Sequence, residues 1–169
     1  MIIRDATVAD MGAVCDLYNA LISTTTIAWT ETPQTVDERL SWFLEQQKRA
    51  HPVLVADASD SIVGFASFGS FRGDGRWPGY RFTVEHTIHV AASHWRAGIG
   101  RALLEALIER ARSAGYHVMV GGIDADNAAS LRFHEQMGFV EVARMPEVGR
   151  KFDRWLDLVL VQRIVNDEP

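Results

Sequence analysis

The chain has 169 residues, enough for one domain with a substantial core. Hydrophobic residues make up 47 % and charged residues 23 %, the balance of a folded globular chain. A formal net charge of −5 argues against a broad nucleic-acid surface, the single Cys15 excludes an internal disulfide and a cysteine-based zinc site, and no apolar run approaches the roughly 20 residues that span a bilayer.

At the N-terminus Ile2 and Ile3 open a short strand, and the Arg4 and Asp5 that follow do not fit a signal peptide, so a cytoplasmic location is expected. Thr7 is a helix cap, and Met11, Val14, Tyr18 and Leu21 recur near helical spacing, with Cys15 as a small core residue among them. The polar stretch Ser23 to Thr35 interrupts this pattern and carries Trp29 and Pro33. Thr35 caps a second helix bearing Leu40, Phe43 and Leu44. Pro52 to Ala56 and Ile62 to Phe71 read as a strand pair around the turn Ala58-Ser59-Asp60-Ser61, and Gly73 to Gly79 as a loop.

Phe82 to Val90 is the next strand, followed by His94-Trp95-Arg96-Ala97-Gly98-Ile99-Gly100-Arg101 and an amphipathic helix from Arg101 to Ala114 that ends at Gly115. Val118 to Ile123 is a buried strand. Asp126 or Asn127 starts a helix with Ala129, Phe133 and Met137 on one face, and Phe139 to Met145 and Trp155 to Ile164 close the chain as strands. These elements give an α/β (α+β) single domain over residues 1–169, a mixed central sheet flanked by helices.

Glycine lets backbone N–H groups crowd toward a ligand, and a helix N-terminus adds unpaired N–H groups and the positive end of its dipole. The strand, the Gly98/Gly100 turn and the helix thus suit a pyrophosphate-bearing cofactor. On spacing alone a tight turn with no ligand is equally compatible. The third glycine of the dinucleotide fingerprint is missing, and no Gly-Lys-Ser/Thr follows as in a P-loop. A second strand-to-helix unit, Asn127-Ala128-Ala129-Ser130 with His134 and Gly138-Phe139, shifts the balance toward a ligand.

The two units together resemble the GNAT superfamily of N-acetyltransferases, and the likeness covers nearly the whole chain. Within it, Thr83-Val84-Glu85-His86-Thr87-Ile88-His89-Val90 with the glycine turn, and Gly149-Arg150-Lys151-Phe152-Asp153-Arg154-Trp155-Leu156-Asp157, resemble the phosphinothricin and methionine sulfoximine N-acetyltransferase branch. The resemblance implies two splayed parallel strands, acetyl-CoA as cosubstrate with no metal, a small amino-acid-like substrate, no nucleic-acid or membrane partner, and a homodimer. It implies direct transfer from acetyl-CoA to the α-amine of a phosphinothricin, methionine sulfoximine or methionine sulfone type of compound. Acetylation of a protein or peptide N-terminus is the alternative, and a non-catalytic CoA-binding sensor a more distant one.

An α-amine is mostly protonated at neutral pH and needs a base. The resemblance gives that role to Glu85, which interrupts an apolar strand. The opposing reading is an edge-strand carboxylate facing water. His134 stands where many relatives have a tyrosine that protonates the leaving thiolate; it could do so, assist the base, or be an exposed helix histidine beside Phe133. His86 and His89 could lie close together without making a metal site. For the cosubstrate, Arg96, Ala97, Gly98, Ile99, Gly100 and Arg101 are expected to offer backbone N–H groups to the pyrophosphate. Ile88, His89 and Val90 are expected beside the pantetheine arm, and Asn127 and Ser130 on the next unit, with Asn127 equally able to be a simple cap. Trp95 departs from the usual Gln or Arg of the first motif. For the substrate, Arg72 first and Arg81 second are candidates to grip a carboxylate. Trp29 is a candidate pocket wall, and Lys151 and Phe152 candidates for the site or a subunit contact.

Overall fold

The computed structural model describes residues 1–59, 61–73 and 76–166; Asp60 of the expected turn and Asp74 and Gly75 of the expected loop lie outside them. Seven strands form one sheet: β1 (Ile2–Asp5), β2 (Val53–Asp57), β3 (Ile62–Ser70), β4 (Thr83–Val90), β5 (Val118–Asp124), β6 (Val140–Lys151) and β7 (Arg154–Ile164). Their order is β1-β2-β3-β4-β5-β7-β6, antiparallel throughout except for the parallel pair β4/β5. The helices are α1 (Met11–Ile22), α2 (Val36–Lys48), α3 (Ile99–Ser113) and α4 (Ala128–Gln136).

Two cores lie on opposite faces of this sheet. On one, Phe43, Val53, Val55 and Phe65 pack with Met11, Val14, Leu17 and Leu21 of α1. On the other, Leu103, Leu104 and Leu107 of α3, each fully buried, pack on Phe68, Val84, Met119 and Val159. A buried leucine contributes about 1.5–3 kcal/mol relative to an exposed one, so the α3 stripe holds the helix to the sheet. Thr35 caps α2 as its sequence indicates: its Oγ1 accepts from the Glu38 N–H at 3.2 Å, and the Glu38 carboxylate accepts from the Thr35 N–H at 2.7 Å.

The feature that positions the site is where the parallel pair stops. β4 and β5 are in register only from Thr83/Val118 to Glu85/Val120. Beyond that, β4 continues to Val90 paired only with β3, and β5 continues to Asp124 paired only with β7. The sheet opens there into a V. Gly121 and Gly122 stand at the opening, where a strand glycine marks a close approach. A Cβ on Gly121 would lie 2.6 Å from the His86 ring, and one on Gly122 3.7 Å from the Glu85 carboxylate.

Several expected boundaries differ, most of them by one residue. α3 begins at Ile99, before the expected Arg101, because Gly98 takes a left-handed φ of +81° that turns the chain straight into the helix. β6 starts after Phe139 and runs past the expected Met145 to Lys151; two slips of register against β7, at Glu141/Ala143 and Met145/Gly149, absorb Pro146 without ending the strand. Among its described residues, the loop before β4 contains one 3₁₀ turn, Pro78–Tyr80.

Candidate active site

Alternation along β4 sends Glu85, Thr87 and His89 to the α1 side of the sheet and Val84, His86, Ile88 and Val90 to the α3 side. His86 and His89 therefore lie on opposite faces, against the expectation that they could be close. β4 is the middle strand of seven, so Glu85 is not on an edge. Its carboxyl opens into a cavity of about 300 Å³ lined by Tyr18, Trp29, Glu85, Gly122, Asp124 and His134, among others. Glu85 is exposed, and partial desolvation by the surrounding protein pushes its carboxyl above its ordinary value.

A second cavity, of about 610 Å³, runs from the V to the start of α3. Val90, Trp95, Arg96, Gly98, Gly100, Arg101, Ala129, Arg132 and Phe133 line it. Ile27, Ile88, His89, Asn127, Ser130 and His134 line both cavities, so the two meet at the V. Arg96 and Gly98 both have positive φ, and Trp95 donates its indole N–H to the Val90 carbonyl at 2.7 Å, pinning the turn to the strand end. Ile99 is 4 % exposed and its side chain belongs to the core, so only its backbone faces the turn. Backbone N–H groups, a helix N-terminus and Arg96, Arg101 and Arg132 together make this cavity fit a pyrophosphate. Asn127 caps α4 by accepting from the Ser130 N–H at 3.0 Å, and it lines both cavities.

His134 is 3 % exposed, not the exposed helix residue that its polar sequence neighbours allow, because the V leaves a pocket that it fills. It meets His86 there, ring nitrogen to ring nitrogen. Trp29 is brought to the Glu85 cavity by the loop after α1, lying so flat on Gly149 that a Cβ there would sit 2.2 Å from its ring. Thr26 of the same loop donates its hydroxyl to Asp124.

The remaining substrate candidates stand apart from the cavity lining. Lys151 is 1 % exposed and donates its ammonium to the carbonyls of Thr25 and Ala28 at 2.7 and 2.6 Å, so it ties the Trp29 loop to the β6–β7 hairpin. Burial lowers its pKa. Phe152 sits at the tip of that hairpin with Asp153, both at positive φ, and its N–H donates to Glu31. The Arg72 guanidinium lies over the rings of Phe71 and Tyr80, and Arg81 over Phe82 while donating to the Pro78 carbonyl.

The sequence reading did not single out Arg39. Its guanidinium is buried over Tyr18 at 4.4 Å and Trp42 at 4.7 Å, and its Nε and Nη2 have no hydrogen-bond partner among the described residues. It depresses the pKa of the adjacent buried His89, after the larger effect of burial itself. A cation with no carboxylate partner among the described residues thus stands behind the Tyr18–His89 wall of the Glu85 cavity. The helical spacing of α2 hides it as a surface arginine. The glycine pair in β5 was the legible but unused sign of the V.

The Acetyltransferase (GNAT) family profile matches residues 14–139. An L-methionine sulfoximine/L-methionine sulfone acetyltransferase of Salmonella typhimurium is 44 % identical over 96 % of this chain and 93 % of its own length. A phosphinothricin N-acetyltransferase of Streptomyces viridochromogenes is 34 % identical over 95 % and 86 %. The structure of an acetyltransferase from Salmonella typhimurium with its cofactor acetyl-CoA superposes with a TM-score of 0.94 at 42 % identity, covering 99 % of this chain and 95 % of that one. With its glycine turn at the head of α3, its splayed parallel pair and a match over three quarters of its length, the chain belongs to the GNAT family of acetyltransferases.

Proposed function

We propose that this acetyltransferase moves the acetyl group of acetyl-CoA to the α-amine of a small amino-acid analogue of the methionine sulfoximine, methionine sulfone or phosphinothricin type. The observation that carries the reading is the meeting of two cavities at the V. One has anion-binding backbone and arginines; the other has a carboxyl of raised pKa. Acetyl-CoA lies with its pyrophosphate at Arg96 to Arg101 and its pantetheine arm along the free edge of Ile88 to Val90. Its thioester then reaches the wall shared with the amine.

Glu85 takes the ammonium proton, the free amine attacks the thioester carbonyl, and a backbone N–H of the splayed strand polarises that carbonyl. A carboxyl raised by desolvation is a stronger base than an ordinary glutamate once ionised. Transfer is direct. Cys15 is 1 % exposed, donates to the Gln34 carbonyl and lines neither cavity. The α-carboxylate is met by the field of Arg39 through the Tyr18–His89 wall. Arg72 serves only by leaving its two rings. The reading includes a cytoplasmic homodimer, for which exposed Val140 and Met145 on β6 offer apolar surface.

The test is a set of specificity constants from thiol release for methionine sulfone, methionine sulfoximine, phosphinothricin, their carboxamides, a polyamine and a short peptide. The free acids are expected to be favoured, and Arg39→Gln to erase more of the acid-over-amide preference than Arg72→Ala. A peptide or polyamine that outperforms every free acid overturns the substrate reading.

A further inference from the structure

The walls of the two cavities share an unusual line of atoms. The Val120 carbonyl oxygen lies 2.8 Å from His86 Nδ1, His86 Nε2 lies 3.0 Å from His134 Nε2, and His134 Nδ1 lies 2.8 Å from the Ser130 carbonyl oxygen. Val120 is the last β5 residue in register with β4, so its carbonyl is met by a side chain at the point where the strands part.

A carbonyl only accepts, so these contacts place a hydrogen on each Nδ1. A neutral imidazole carries one N–H. With both on the Nδ1 atoms, two lone pairs face each other across 3.0 Å, and a third hydrogen between them turns that repulsion into a bond. A two-hydrogen arrangement also exists. The Ser130 hydroxyl, 3.3 Å from His134 Nδ1, donates to it, His134 Nε2–H donates to His86, and His86 Nδ1–H donates to Val120. The two arrangements differ by one proton, and only the three-hydrogen one satisfies every contact, because the other leaves a bare His134 Nδ1 facing the Ser130 carbonyl oxygen at 2.8 Å.

We propose that His86 and His134 are a proton-sharing pair that takes up one proton and passes it, through the Ser130 hydroxyl, to the sulfur leaving the acetyl group. This rests on the acetyl-transfer reading above. His86 acts through His134 and is a positioning residue; the Ser130 hydroxyl is the group that meets the sulfur.

The balance is complete. The C–N bond forms and the C–S bond breaks, with the bonding pair staying on sulfur. One proton of the ammonium leaves through Glu85 to solvent. The second proton, shed by the nitrogen as it is acetylated, enters the pair through the Ser130 hydroxyl; the sulfur then takes the Ser130 proton, and Ser130 is refilled from His134 Nδ1, which returns the pair to two hydrogens. Ser130 and His134 line both cavities, which lets them serve the two ends of this transfer. The pair is packed by Phe133, Phe139 and Gly121, all uncharged. Tyr18, Glu85, His89 and Asp124 face the amine cavity, and His94, Arg96, Arg101 and Arg132 face the other. Burial pushes both rings below an ordinary imidazole, against the geometry that favours a third hydrogen, so the pair holds that proton only in transit.

Two measurements test this. In nitrogen-15 spectra of the protein without ligands, acidification within the folded range is expected to add one proton to the pair as a unit. A single proton resonance then correlates with both Nε2 atoms and vanishes in His86→Gln. Two rings that each keep a bare nitrogen throughout that range overturn the pair, whatever the enzyme's activity. In thiol-release kinetics, His86→Gln and Ser130→Ala are each expected to lower kcat about a hundredfold, the low end of general acid–base effects. KM for acetyl-CoA should change less than about threefold. His86→Gln should also move the acid limb of the kcat profile by about one pH unit, the scale of coupling in such pairs, while Ser130→Ala leaves the shared resonance in place. A His86→Gln enzyme with wild-type kcat, or with KM raised in step with the loss and the limb unmoved, overturns the proton-passing role. A wild-type enzyme that releases no thiol with any amine instead overturns the acetyl-transfer reading, and the spectra still decide whether the pair shares a proton.

Discussion

Glu85 occupies a place where its charge is disfavoured, and that leaves a signature in stability. Its folded pKa lies above its unfolded value, so the native state binds more protons across the interval between the two. Stability is unaffected below the unfolded value, falls as pH rises through the interval, and stays reduced above it. Glu85→Gln is therefore expected to match the wild type at low pH and to equal or exceed its Tm at alkaline pH, by at most about 2 °C. A Tm lowered at alkaline pH would mean that the carboxylate is held by a partner. Glu85 was legible as a carboxyl inside an apolar strand, and Asn127 as a residue opening a helix. His86 and Arg39 were not, because their importance comes from residues far away in the chain. His86 gains meaning from His134 and Gly121, and Arg39 from Tyr18 and Trp42.

The loop after α1 and the β6–β7 hairpin form a coupled wall. Lys151 bonds two loop carbonyls, and Trp29 lies on Gly149. Gly149→Ala must displace the indole, since no ring atom can stay 2.2 Å from a methyl. The expected outcome is KM for the amine raised about tenfold, as misplacement of a positioning group does, with acetyl-CoA affinity within about twofold in a calorimetric titration. An unchanged amine KM would remove Trp29 from the wall. Helices and central strands follow their apolar periodicity, so their existence was readable. The full length of β6 was not. Pro146 reads as a terminator, and only the paired β7 shows that the strand resumes after its second slip. Lys151 reads as a surface or site cation because nothing local announces the carbonyls of Thr25 and Ala28.

At the scale of the molecule, an interrupted sheet creates a passage where two cavities meet, each lined by side chains from both faces. Gly100 marks the cosubstrate side. A Cβ there would meet Phe133 at 3.6 Å and Val90 at 3.9 Å, ordinary contact, so Gly100→Val folds but places methyl groups where the phosphate backbone has to approach. Acetyl-CoA affinity is expected to fall at least about tenfold, or roughly 1.4 kcal/mol. Undiminished affinity would move the pyrophosphate elsewhere. The central claim is that Glu85 deprotonates an amine that attacks across this passage. The most direct measurement is kcat for thiol release with methionine sulfone, for the wild type and Glu85→Gln, from neutral to strongly alkaline pH. The account expects Glu85→Gln to lose about a hundredfold or more at neutral pH and to regain rate as the free amine accumulates, with acetyl-CoA binding retained. Equal turnover by the two proteins across that range would contradict it.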